Sequence, residues 1–306
     1  MIISLLSILL GSCLLYYGAE WIVKGSASIA AKLGIPTLVI GLTVVAFGTS
    51  LPELIVSIMA ALEGSSAIAV GNVVGSNIAN VGLVLGLSAF IFPITIQFDH
   101  IKRDLFIYLI TCGLFIFFAY DGRISQFEGL FFVISLIFYI IYSIKNPLGD
   151  GDKTEQSLDG KMGKLIIYVI CGIILLSFGA DLFVDGAIFI ARYYGLSEVV
   201  IGMSVVAFGT SLPELATSVM AAFHKESAIS VGNIIGSNIY NILSVLGITS
   251  ILYPLDSPTD IMKNEVIVMV SFAFAMILLA KLPQPINRYG SGLLILSYII
   301  FIYLLF

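Results

Sequence analysis

Charge is what this sequence has least of. Only 11% of its 306 residues are Asp, Glu, Lys or Arg, against 59% hydrophobic residues and a mean hydropathy of +1.10. A soluble domain carries about 25% charged residues. A water-surrounded globular fold is therefore excluded, and the chain reads as an integral membrane protein. Histidine is nearly missing: His100 and His224 are the only two, and both fall at loops or at the ends of apolar runs. A Ser/His dyad inside the bilayer has no base, which argues against an intramembrane protease. Cys13, Cys112 and Cys171 have no CxxC spacing and no neighbouring His, so they read as small packing residues rather than disulfides or metal ligands. No Lys/Arg block suggests nucleic acid, no glycine-rich loop suggests a nucleotide, and no short alternating strands suggest a porin. The N-terminus lacks the basic region and small-residue cleavage site of a signal peptide, so its first apolar run reads as a retained helix.

What the sequence does contain is long apolar runs. Between charged or Pro/Gly-rich breaks they predict ten membrane helices, at 2 to 24, 35 to 62, 67 to 92, 104 to 120, 127 to 144, 164 to 191, 198 to 223, 228 to 252, 264 to 281 and 289 to 306. The expected fold class is an all-α integral membrane protein. The hydrophilic stretch between the fifth and sixth runs gives three parts: a first five-helix repeat at 1–145, a linker at 146–163 and a second repeat at 164–306. Shifting the first half by 161 positions aligns Gly18 to Pro93 with Gly179 to Pro254 without a gap, and about 40 of the 76 pairs are identical. Because five is odd, the second repeat must enter the membrane from the opposite side, giving the inverted topology that carriers use for alternating access. Arg123, Arg192 and Lys263 fall on the side of the termini and the other eleven Lys and Arg on the opposite side. The positive-inside rule then puts the linker in the cytoplasm and both termini outside a cytoplasmic membrane.

One peptide occurs twice. Ile40 to Leu54 returns almost unchanged at Ile201 to Leu215, each copy carrying one glutamate in an apolar setting. Pro52 has no N–H for the carbonyl of Gly48, and Pro213 likewise leaves that of Gly209, so the second and seventh helices are expected to break at mid-membrane. Thr49, Ser50 and Glu53 share that turn, as do Thr210, Ser211 and Glu214. The third and eighth helices add polar stripes of Asn72, Ser76 and Asn80 and of Asn233, Ser237 and Asn241, at four-residue spacing. Carboxylate, hydroxyl and carbonyl oxygens suit hard cations such as Ca²⁺ and Na⁺. Two ionised glutamates match one Ca²⁺ or two Na⁺, which should compete. For Asn72 and Asn233, helix-end or packing roles stand beside ligation, and Asn77 and Asn238 read as helix–helix hydrogen bonders. Glu20, Asp181 and Asp185 lie nearer the span ends and read as interfacial anchors, with Glu20 able to pair with Lys24 one turn on.

The motifs Gly-Thr-Ser-Leu-Pro-Glu at 48 to 53 and 209 to 214, with Gly-Asn-Val-Val-Gly-Ser-Asn at 71 to 77 and Gly-Asn-Ile-Ile-Gly-Ser-Asn at 232 to 238, resemble the two α-repeats of the sodium/calcium exchangers, in the cation/Ca²⁺ antiporter family. The resemblance covers nearly the whole chain. It implies a compact prokaryotic antiporter, with no cofactor and no obligate protein partner, moving Na⁺ against Ca²⁺ electrogenically as the first and sixth helices slide over a fixed core. By position, Glu53, Glu214 and the carbonyls of Thr49 and Thr210 resemble the Ca²⁺ ligands. The Ala46 and Ala207 carbonyls with Ser50, Ser211, Ser76 and Ser237 correspond to flanking Na⁺ sites, and Asn80 and Asn241 line the middle. Relatives that co-transport K⁺ often carry an aspartate at one of those two positions. This chain has asparagine at both, which implies K⁺ independence. The short linker departs from animal exchangers, which carry Ca²⁺-sensing domains there.

Three other readings stand beside this one. Ca²⁺/H⁺ exchange could use the same two glutamates, although the proton-coupled branch usually places its acid after Gly-Asn. A channel fits broken, inverted repeats less well than a carrier does. Two acidic residues could form an aspartyl-type dyad, but here they are glutamates behind helix-breaking prolines, which argues against catalysis.

Overall fold

The protein is described by a computed structural model for residues 1–95, 97–148, 160–195, 207–256 and 264–305. Most of the expected linker, with Lys153, the start of the seventh run and Lys263 lie outside the described residues.

The first helix, α1 (Ile2–Leu33), runs well past the expected end at 24. Lys24 does not stop it because the charge is paired with Glu20 on the same face, and the residues that follow, Gly25 to Ala30, are buried. It ends at Gly34, whose left-handed backbone (φ 66°) returns its N–H to the carbonyls of Ala30 and Ala31. Next come α2 (Thr37–Ile40), a π-helical turn (Gly41–Val45), α3 (Ala46–Thr49) and α4 (Leu51–Leu62). The third run is α5 (Ser66–Ala79), a π-helical segment (Asn80–Leu85) and α6 (Gly86–Ile91), followed by α7 (Phe98–Phe118) and α8 (Gln126–Lys145). The described residues of the second half form α9 (Met162–Tyr193), α10 (Ala207–Thr210), α11 (Leu212–Phe223), α12 (Ser227–Tyr240), a π-helical segment (Asn241–Leu246), α13 (Gly247–Leu252), α14 (Glu265–Lys281) and α15 (Arg288–Leu304).

Each of the ten expected runs thus contains helix. Among the described residues six helices are long and apolar enough to cross a membrane unaided, or seven if the bent pair Thr37–Thr49 and Leu51–Leu62 counts as one span. At 17 residues each, α14 and α15 fall short of that length, and α11 is shorter still. Among the described residues a single two-residue antiparallel pairing, β1 (Arg123–Ile124) with β2 (Leu255–Asp256), joins two loops.

Burial divides the helices into an inner pair and a shell. In Ser66–Ile91 and Ser227–Leu252, 78% and 89% of the most apolar window is inside the protein, against 28% for α1 and 33% for α9. The sequence explains the difference. The inner helices carry Gly, Ser and Asn, which allow close approach and bond to one another, whereas α1, α8 and α9 turn Leu, Ile and Phe outward to lipid. Cys13 is on that outer surface, not packed inside as expected; Cys112 is buried, and neither these nor Cys171 form disulfides.

The outer helices α1 and α9 lie antiparallel, backbone against backbone. A Cβ on Gly18 would be 2.9 Å from the Gly172 carbonyl oxygen, and one on Gly11 would be 2.7 Å from that of Gly179. Residues 11 and 18 are the positions that the 161-residue shift pairs with 172 and 179, so the two copies of one small-residue face meet each other.

Candidate cation site

The two Pro-Glu segments start their helices in the same way. Ser50 (φ −84°, ψ 6°) and Ser211 (φ −87°, ψ 4°) each leave helical geometry for one residue. Pro52 and Pro213 then take the second position of α4 and α11, where a missing N–H costs nothing, and Glu53 and Glu214 fall in the first turn. The axis turns by 41° between Thr37–Thr49 and Leu51–Leu62. Both carboxylates therefore sit at the positive end of a helix dipole, which favours negative charge there.

Hydrogen bonds tie one half of the chain to the other at this point. Ser50 Oγ donates to Glu214 Oε1 at 3.3 Å. Thr49 Oγ1 donates to Asn233 Oδ1 at 3.0 Å and lies 3.2 Å from Ser237 Oγ. Thr49, Ser50 and Ser237 surround Glu214, Ser76 stands beside Glu53, and the two carboxylates are close enough to interact electrostatically. Glu53, Glu214, Thr49, Ser50, Ser211, Ser76, Ser237, Asn80 and Asn241 are all buried. The Ala46 carbonyl accepts the Ser50 amide at 3.1 Å and the Thr49 hydroxyl at 3.4 Å. Thr210 ends α10 beside Ser211, and Ala207 begins that helix.

The asparagines divide into braces and liners. Asn72 Nδ2 donates to the backbone oxygen of Glu53 at 3.1 Å and to Ser57 Oγ at 3.0 Å. Asn233 Nδ2 repeats this with Glu214 O at 3.5 Å and Ser218 Oγ at 3.1 Å. These two hold the turn that presents each glutamate. Asn77 Nδ2 donates to the backbone oxygen of Asn238 at 3.2 Å, the helix–helix bond expected of it. Asn80 Nδ2 donates to Asn238 Oδ1, and Asn241 Nδ2 to Asn77 Oδ1, both at 3.1 Å. With its amide nitrogen engaged, each liner has its side-chain oxygen left over.

Those oxygens belong to a set. Both carboxylate oxygens of Glu53, Oε2 of Glu214, Ser211 Oγ, and Oδ1 of Asn80 and of Asn241 are buried without a hydrogen-bond partner. Buried carboxylates left unpaired are costly, and oxygens of this kind are the donor type that a hard cation prefers. Among the described residues no group of three or more His, Cys, Asp or Glu is assembled. The arrangement therefore suits an oxygen-bound cation with limited fixed charge, not a thiolate or imidazole metal centre.

Two features escaped the sequence reading. Ser57 and Ser218 sit one helical turn beyond the glutamates and recur at the repeat spacing, a signal that could have identified them as partners of Asn72 and Asn233. The π-helical segments opening at Asn80 and Asn241 left no such signal, since i→i+5 bonding is imposed by packing; segments of this kind often occur at functional sites.

Comparison with known proteins agrees with this geometry. Residues 3–145 and 164–306 match the family model of the sodium/calcium exchanger protein. The chain is 34% identical to the sodium/calcium exchanger MaX1 of Methanosarcina acetivorans, over 99% of both proteins. It is also 34% identical to the inner membrane protein YrbG of Escherichia coli, over 93% of this chain and 91% of that one. A solved structure of the sodium-calcium exchanger NCX_Mj superimposes with a TM-score of 0.86 at 37% identity, covering 99% of this chain and 98% of that one. Duplicated Pro-Glu turns, an oxygen-only site between them and similarity over nearly the full length lead to one assignment: the chain belongs to the sodium/calcium exchanger family, whose members are membrane antiporters and not enzymes.

Proposed function

We propose that this protein exchanges Na⁺ for Ca²⁺ across the cell membrane by alternating access, electrogenically and without K⁺. The observation that carries the reading is the set of six unpartnered buried oxygens on Glu53, Glu214, Ser211, Asn80 and Asn241. Glu53 and Glu214 supply the fixed charge for one Ca²⁺ or for more than one Na⁺, so the two ions compete for the same carboxylates. Thr49 and Thr210 carbonyls complete the Ca²⁺ position, and Ser50, Ser211, Ser76 and Ser237 with the Ala46 and Ala207 carbonyls serve Na⁺. Ca²⁺ takes six to eight oxygens at about 2.3–2.6 Å, a number that neither half provides alone. That is the physical reason for two facing copies of one motif.

Architecture supports the same conclusion. Residues 1–145 and 164–306 form two five-span halves of opposite orientation around the site, with the 146–163 linker in the cytoplasm and both termini outside. Short members such as α14 and α15 complete ten spans by tilting little and meeting the interface early. An inverted pair can be rocked or slid between two mirror-related states, each exposing the site to one side.

Reconstituted vesicles loaded with Na⁺ and diluted into Na⁺-free medium take up Ca²⁺ if the reading is right, with or without K⁺, and the uptake responds to membrane potential. Uptake driven equally well by a pH gradient in the absence of Na⁺ would assign the protein to Ca²⁺/H⁺ exchange instead. Full uptake by Glu53→Gln and Glu214→Gln would sink both.

A further inference from the structure

The two halves match closely around the ion site and differ sharply at one place near the helix ends. On α1, Glu20 Oε2 lies 2.6 Å from Nε2 of His224, the residue that caps α11, the helix carrying Glu214 in its first turn. Glu20 Oε1 is paired with Lys24. The contact is sheltered, with the side chains of His224 and Glu20 only 9% and 18% exposed. It closes a seam along which α1 packs on α11.

The 161-residue shift gives the counterpart at the opposite end. Glu20 becomes Asp181, Lys24 becomes Asp185, and His224 becomes Glu63. An acid, a base and a histidine are replaced by three acids. Like charges cannot close a seam. All three are exposed, and among the described residues α9 makes no packing against α4 comparable with that of α1 on α11. The molecule is thus zipped at one end and unzipped at the mirrored end, and the charges differ in the sense that fits.

We propose that Glu20, Lys24 and His224 form a one-sided latch. It holds α1 against the Glu214-bearing helix and favours the state in which the ion site is shut at that end. In the topology proposed above this is the cytoplasmic end. The latch rests on the alternating-access reading for its meaning in transport, although its closure can be measured without transport. Glu20 and His224 touch no ion; they are positioning residues that set the balance between the two end states. A sheltered, charge-assisted hydrogen bond of this kind shifts such a balance by roughly 10-fold or more.

Hydrogen–deuterium exchange on the purified full-length protein tests this. In Glu20→Ala and in His224→Ala, peptides covering 20–33 and 218–226 should lose protection by roughly 10-fold, and the double variant should lose no more than either single one. The reverse construction is the sharper test. Glu63→His places a histidine opposite Asp181, and it should raise protection at 59–65 and 181–193 while lowering it at 20–33. Unchanged protection in either single variant, multiplied losses in the double variant, or no gain from Glu63→His would overturn the latch. Ca²⁺ uptake by the unmodified protein is measured in parallel. If that uptake is Na⁺-driven and the exchange results are negative, the latch alone falls; if uptake fails, the transport reading falls whatever the exchange results.

Discussion

Asn80 donates its side-chain amide to Oδ1 of Asn238 at 3.1 Å. The relationship is reciprocated across the molecule, since Asn241 donates to Oδ1 of Asn77 at the same distance. In each pair the donor is thereby fixed with its own carbonyl oxygen unpartnered. If Asn80 and Asn241 line the ion site as proposed, Asn77 and Asn238 act on it by aiming Asn241 and Asn80.

From this pairing, Asn77→Ala and Asn238→Ala are expected to weaken Ca²⁺ binding by about 10-fold, the usual effect of losing a group that orients a ligand. Titration calorimetry on the purified variants measures it. Loss of the aimed oxygen in Asn80→Ala or Asn241→Ala should cost at least as much.

Glu53→Gln and Glu214→Gln should separate binding from stability. Each glutamate is a buried carboxyl group with at least one unpartnered oxygen, and Gln keeps an oxygen that can go on accepting the Ser50 hydroxyl at position 214, so the charge is removed without breaking a bond on which the fold depends. Thermal melting in cation-free buffer should show no loss of stability. The rise in Tm that saturating Ca²⁺ gives the unmodified protein, about 2.7 kcal/mol of stabilisation at 100 times Kd, should vanish in both.

Gly18→Ala tests the α1–α9 contact. Its new Cβ would meet the Gly172 carbonyl oxygen and the Leu176 amide nitrogen, both at 2.9 Å and both backbone. Overpacking of this kind costs about 1–3 kcal/mol, read as a lower Tm. Gly113→Ala in α7 is the control. It meets nothing within 4 Å, and the better helix former should leave stability equal or raise it by up to about 1 kcal/mol.

Asp104 is a buried carboxylate outside the cation site. Arg103 Nη2 donates to both of its oxygens at 3.1 Å, and Tyr139 adds a hydrogen bond at 3.3 Å from α8. Asp104→Ala leaves Arg103 short of its partner and should destabilise the protein by about 3–5 kcal/mol while Ca²⁺ affinity stays within about two-fold. Tyr139→Phe should cost about 1 kcal/mol. Chemical denaturation in detergent together with calorimetry reads the two effects separately.

Much of the candidate site could be proposed because its motif is written twice. One Pro-Glu turn in an apolar run is ambiguous; the second copy at 214, with Asn72, Ser76 and Asn80 repeated at 233, 237 and 241, is what made a shared oxygen site readable. The charge at Lys24 predicts an end to the first helix there, and the helix continues to Leu33. A charge ends a membrane helix only if it must reach water, and this one is paired with Glu20. Asn72 and Asn233 stayed undecided for a similar reason. Spacing puts them on the polar stripe, but only the fold brings the Glu53 and Glu214 carbonyls within reach of their amides.

By itself the sequence determined the membrane setting, the helical class, the duplication and the chemistry of the donors, because hydropathy, proline geometry and ligand type are local properties of the chain. Tertiary structure alone decided which copy touches which. Ser50 reaches the glutamate of the other half, Asn80 and Asn241 are aimed by each other's helices, and Glu20 meets His224 while Asp181 and Glu63 stay exposed. Two near-identical repeats have near-identical local preferences. What distinguishes their ends is the packing between them, which is set by long-range contacts that no single segment encodes.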